Sequence, residues 1–253
     1  AAARHGLPVI GHVPANLPYV RARVPNVQHF FGVPRPESLS ATHNLARTSD
    51  WQGVDRNRLR NIVGISLRNN IANTPTLGVT HGLLRFADYE QARHSPPALL
   101  LPRMYRDVVW HPERGIAFYR NISPAYLERL SGALRKKQEL VRMLHAAGGR
   151  VYIGSDTQQP FIAPGLSIHT EMRLFQEAGL TPEEVWTIAT RLATEALGGA
   201  DSGRLATVSQ GSHAKSGRLA NSGGGGKRRS PVPPGGSGRG DRCIPATLRK
   251  SGF

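Results

Sequence analysis

Gly149-Arg-Val-Tyr-Ile-Gly-Ser-Asp156-Thr157 decides how this chain reads, with Gly165-Leu-Ser-Ile-His169 a few residues behind it. Val151-Tyr152-Ile153 is a short apolar run of the kind that forms a buried strand. It ends in a carboxylate before an amphipathic helix begins. Barrel enzymes present catalytic groups in this way, because their active sites gather at the carboxyl ends of the strands. Two other stretches share the design: Leu7-Pro-Val-Ile-Gly-His12 and Val24-Pro-Asn-Val-Gln-His29 are apolar runs closed by a histidine. Two imidazoles and a carboxylate are a zinc-type ligand set, and a divalent metal so held can lower the pKa of water to about 7. His12, His29 and Asp156 are therefore the candidate metal ligands, expected to converge on one cavity, with Asp156 also the candidate catalytic base. Plainer readings stand beside these: a satisfied strand-end histidine for His12 and His29, and a turn or helix-capping residue for Asp156.

Outward from these stretches the pattern alternates. Ala1 to Gly6 reads as a helix end closed by glycine, and Ala15 to Arg23 leaves room for a short helix between the first two strands. A helix is expected near Arg56–Asn69, and a third strand over Asn73-Thr-Pro-Thr-Leu-Gly-Val-Thr80. His81 to Asn121 reads as a long Pro- and Arg-rich insertion, with His81 on its surface. Ser123-Pro124 opens a strong helix in which Leu127, Leu130, Leu134, Val141 and Leu144 recur on one face, and Gly148-Gly149 stops it. A helix from about His169 to Ala178 follows the Asp156 strand, and Thr181-Pro-Glu-Glu184 is a capping box opening the last helix. Strand and helix in alternation predict a parallel α/β architecture.

The chain divides by composition. Residues 1–198 carry the apolar periodicity of a core-forming domain. Residues 199–253 are a basic Gly/Arg/Ser/Pro-rich stretch expected to be disordered, because such a composition cannot bury enough apolar surface to offset its ordering entropy. The change at Gly199 is as abrupt as a shift in coding frame would make it. This tail carries ten Lys/Arg against two Asp, a net +8 that is half of the chain's +16. Nucleic acid is nonetheless not an expected partner: Phe253 is the only aromatic after Trp186, so the charged tail has no stacking platform. The single Cys243 excludes a cysteine zinc cluster and an internal disulfide. No apolar run approaches the roughly 20 residues of a membrane span. The chain opens on Ala-Ala-Ala-Arg-His rather than Met. The cytoplasm is expected if no signal peptide preceded that start.

Gly11-His-Val-Pro14, Val27-Gln-His29-Phe-Phe-Gly32, Asn73-Thr-Pro-Thr76, Gly154-Ser-Asp156, Gly165-Leu-Ser-Ile-His169 and the helix start at Gly179–Glu184 resemble the second half of the metal-dependent amidohydrolase superfamily. The likeness is to its imidazolonepropionase- and prolidase-like members and spans roughly residues 1–198. It implies a distorted TIM-like (β/α)8 barrel, present as the region of strands five to eight. The implied activity is hydrolysis of amide or cyclic amide C–N bonds in a small-molecule substrate, with a divalent metal such as zinc as cofactor. His169, opening the helix behind Asp156, is the candidate substrate contact. None of the ten histidines has the His-x-His spacing of that family's first strand, Gln28 stands where it has Glu, and no counterpart of its bridging lysine precedes His12. The resemblance therefore implies an incomplete fragment with little activity alone. Two other function classes compete: a nucleic-acid-binding protein acting through the basic tail, and a catalytically dead barrel serving as an interaction module.

Overall fold

Three short strands run parallel in the computed structural model, which describes residues 2–196 apart from Pro8, Ala22 and Asn121. They are β1 (Ile10–Gly11), β2 (Asn26–Gln28) and β3 (Ala72–Thr74), side by side in chain order. Ile10 pairs with Asn26, Val27 with Asn73, and Asn73 also forms a parallel bridge with Val151 on the far side of β3. Four segments thus send their carboxyl ends the same way, as the repeated motif predicts. The prolines explain why they are short: Pro14, Pro25 and Pro75 flank the strands and have no N–H to continue a ladder. The class is α/β, mostly helical around a small parallel sheet; the barrel expected from the sequence is not displayed among the described residues. The domain boundary at residue 198 and the tail 199–253 lie outside those residues.

The third strand ends sooner than its sequence suggests. After β3 the chain turns through Pro75 and Thr76, whose φ of 45° is left-handed. It enters a helix, α3 (Leu77–Leu84), that contains the Thr80 expected to close the strand. Glycine decides this segment: a Cβ at Gly82 would lie 2.4 Å from the Pro160 carbonyl oxygen, so α3 packs against the 160s loop closer than any other residue allows. His81, expected on a loop surface, sits on this helix and is partly buried. The segment from Ala15 to Arg23 has turns where a short helix was expected, and Tyr19 anchors it. Its buried hydroxyl donates to Asn73 Oδ1 at 2.8 Å and meets Ser66 Oγ at 3.0 Å.

The helices follow their apolar faces. Before α3, α1 (Asn44–Ser49) is capped by the His43 side chain, which accepts from the Ala46 amide. Asp55 caps α2 (Arg56–Arg68), which buries Leu59, Ile62 and Val63. Two short helices, α4 (Tyr89–Arg93) and α5 (Pro96–Leu99), give structure to the supposed insertion. Leu83, Tyr89, Trp110, Tyr119, Leu130 and Phe161 close there into a second apolar cluster beside the main core. The long α6 (Pro124–Ala146) is capped by Ser123 and buries Leu130, Ala133, Leu140, Val141 and Leu144. Each such leucine stabilises by about 1.5–3 kcal/mol. Lys137 lies on the same buried face. The next helix, α7 (Leu166–Glu177), begins three residues ahead of His169 and turns Ser167, Glu171, Leu174 and Phe175 inward. The expected Thr181–Glu184 capping box opens α8 (Pro182–Thr187). Among the described residues, no helix is long and apolar enough to cross a membrane.

Candidate metal centre

At the carboxyl ends of the strands the backbone leaves its ordinary regions. His29 (φ 59°), Phe30 (φ 57°), Thr76 (φ 45°) and Asp156 (φ 50°) are all left-handed without being glycine. Each such residue costs on the order of 1 kcal/mol or more, and a β-branched threonine more than an aspartate. The strain gathers where three neighbouring segments end, and it aims their side chains inward. Gly154 lets the last segment approach β3, since a Cβ there would fall 2.7 Å from Thr74 Cγ2.

His12, His29 and Asp156 line one cavity of about 180 Å³. His29 Nε2 stands 3.8 Å from Asp156 Oδ2, and the His12 ring lies edge-on to the His29 ring at 4.9 Å between centroids. Phe31 packs against both imidazoles at 5.0 Å and carries the Arg47 guanidinium on its face at 3.9 Å. His169 is elsewhere: it is exposed on the first turn of α7 and does not line this cavity. Because α7 starts early, its buried stripe runs through Ser167 and Glu171, leaving His169 outward.

The proton arrangement at His29 follows from its neighbour. Thr76 Oγ1 lies 2.5 Å from His29 Nδ1 and donates its only proton to the Pro75 carbonyl at 2.8 Å. With that proton on the Pro75 carbonyl, the Thr76 oxygen accepts from His29 Nδ1–H, the tautomer that leaves Nε2 with a bare lone pair toward Asp156. Burial, reinforced by His12, Lys137 and Arg47, pulls the His29 pKa down to about 3, so the contact with Asp156 is not an ion pair at neutral pH. Burial and Arg47 also lower His12, against the opposing pull of Asp156. Asp156 itself is raised by burial and held back by His12. A neutral imidazole lone pair opposite a carboxylate oxygen is a pair of acceptors with no donor between them.

That opposition suits a cation by donor type. Two donors about 2.1 Å from a tetrahedral zinc stand about 3.4 Å apart, so the 3.8 Å gap needs only a small closure. The third donor is not yet in place: among the described residues, no group of three His, Cys, Asp or Glu side chains is close enough to hold a metal ion. His12, exposed at the mouth of the cavity, would have to swing inward.

Tyr119 and Gln159 also line the cavity and escaped the sequence reading. Tyr119 donates to Gln159 Oε1 at 3.2 Å, and burial followed by Asp156 pushes its pKa up to about 12, keeping a neutral phenol donor in the site. Nothing in the 81–121 stretch marked Tyr119, because the second apolar cluster that places it is assembled from distant segments.

No family model matches the chain, and no curated protein matches it. Among solved structures it is similar to bottromycin amidohydrolase, at 24% identity and a TM-score of 0.54, over 79% of this chain and 43% of that one. The likeness is one of fold, and the chain spans less than half the length of that protein.

Proposed function

We propose that this protein is a metal-dependent hydrolase of the amidohydrolase superfamily, of the imidazolonepropionase- and prolidase-like kind. It would cleave amide or cyclic amide C–N bonds of a small molecule, on a scaffold corresponding to strands five to eight of a (β/α)8 barrel. The observation that carries the reading is the facing of His29 Nε2 and Asp156 Oδ2 across 3.8 Å, inside a partly closed cavity at the strand ends. The fold of an amidohydrolase supports it. His29, Asp156 and, after closure, His12 are the proposed ligands, and zinc is the ion their softness and number suit best.

When bound, the ion supplies Lewis-acid chemistry that lowers the pKa of water to about 7. The protein's own groups do the rest. Thr76 holds the His29 ring with Nε2 toward the cavity. Asp156, its pKa raised by burial, takes a proton at a carboxylate oxygen and returns it to the leaving nitrogen. Tyr119, on turning its hydroxyl from Gln159, offers a neutral donor to the substrate carbonyl, and Val79 and Leu83 exclude water from the wall. With two of three donors in place, zinc affinity of this chain is expected to be weak and turnover small.

Zinc titration by calorimetry tests the proposal. Asp156→Asn and His29→Gln should each weaken zinc binding tenfold or more, the usual scale for a lost ligand or orienting partner. Equal binding by the parent and both variants would sink it.

A further inference from the structure

Helix α3 opens without the cap its sequence offers. Thr76 is the N-cap residue, and a threonine there ordinarily accepts from an amide one turn inside the helix. Its side chain makes no such bond, being turned instead to His29 Nδ1 and the Pro75 carbonyl. The orphaned amides are met from another element. Glu171 of α7 reaches across the core: Leu77 N–H donates to Oε1 at 2.8 Å and Gly78 N–H to Oε2 at 2.6 Å. The carboxylate is fully buried. A Cβ at residue 78 would stand 3.2 Å from Oε2, so the glycine keeps this approach open.

We infer that Glu171 is a positioning residue for the cavity: it replaces Thr76 as the cap of α3 and so releases the Thr76 hydroxyl to fix the tautomer and orientation of the His29 imidazole. The relay runs from a buried carboxylate through two amides and one hydroxyl to His29 Nδ1, across the ring from the Nε2 that faces Asp156. Without Glu171 the Gly78 amide, at the second position of α3, recruits Thr76 Oγ1, and His29 loses the acceptor that holds its proton on Nδ1. This rests on the proposed role of His29 as a ligand, yet the orientation it describes exists without any metal.

The test is read on the metal-free full chain with ¹⁵N-labelled histidine, whose ring nitrogens report the tautomer by NMR; His29→Asn assigns the signals. The parent is expected to show His29 wholly as the Nδ1–H form. Glu171→Gln, which keeps one carbonyl acceptor and loses the other, should give a mixture of both tautomers, as should Thr76→Ala, while Thr76→Ser should restore the parent signal. If Glu171→Gln does not fold, Glu171→Asp is read instead, its carboxylate one methylene short of both amides, with the same mixture expected. A folded Glu171 variant with an unchanged His29 signal overturns the relay and leaves Glu171 a structural cap. Zinc binding is measured separately: a mixed tautomer with zinc affinity unaffected by His29→Gln would keep the relay and sink the metal reading alone.

Discussion

Two carboxylates, the partly buried Asp156 and the fully buried Glu171, answer the same electrostatic problem in opposite ways. Glu171 is saturated, with two backbone amides on its two oxygens. Lys137 lends a favourable positive charge from α6, its own ammonium held by Thr80 Oγ1 at 2.8 Å and lying 5.4 Å from the Trp51 ring. Burial raises the pKa of Glu171 and lowers that of Lys137. Asp156 is a third exposed and faces an acceptor rather than a donor. A charge that is fully met serves the scaffold, whereas a charge left facing a lone pair at a cavity costs stability that only a ligand returns. The difference separates structure from function more sharply than burial does.

The comparison breaks most visibly at the saturated end. Glu171→Leu strands two amides and the Lys137 ammonium in the core, and should cost about 3–5 kcal/mol in denaturant unfolding. Adding Lys137→Met should recover part of that loss, and no recovery would mean the two charges are not coupled. Next comes acid. The folded pKa of His29, about 3, lies below its ordinary 6.5. The unfolded chain therefore takes up a proton there first. Stability held above about pH 6.5 should fall as pH drops toward 3, by up to about 1.4 kcal/mol per unit from this group. Urea midpoints across that range should flatten in His29→Phe.

Asp156→Asn should move the other way from Glu171→Leu. The amide can donate to His29 Nε2, so stability should rise by about 1 kcal/mol in thermal unfolding. A loss of similar size would make Asp156 a structural residue and erase the contrast. The smallest effect belongs to His169→Ala, on the open face of α7, which should change stability by less than about 0.5 kcal/mol and leave zinc binding untouched.

Strand direction and the placement of α2, α6, α7 and α8 were legible because they rest on local pattern. The apolar run before His12, the periodicity of α6 and the capping box at Thr181 each name their own structure. Lys137 falls seven residues after Leu130 on the apolar face of α6, where a charge reads in sequence as an interruption rather than as a buried partner for another helix. The end of β3 was not legible: Thr80 follows a β-branched, strand-like run, and the partners of the helix that replaces it, Glu171 at its start and the Pro160 carbonyl beside Gly82, lie far off in sequence. The site was readable as residue types at strand ends. Its tautomer was not, because Thr76, 47 residues from His29, had to be released by a glutamate 94 residues from the amide of Leu77. Chains of substitution across the core leave no periodicity behind.

The order of the parallel segments also bears on how the molecule comes together in time. Ile10 meets Asn26 across 16 residues of chain, Val27 meets Asn73 across 46, and Asn73 meets Val151 across 78. Closing the last loop costs about 1.4 kcal/mol more in chain entropy than closing the first. The two histidines therefore share the short connection, and the aspartate arrives by the long one. Until Val151 docks on β3, no carboxylate faces His29 and the strained turn at Asp156 has nothing to hold it. The charged site is complete only once the longest of these loops has closed.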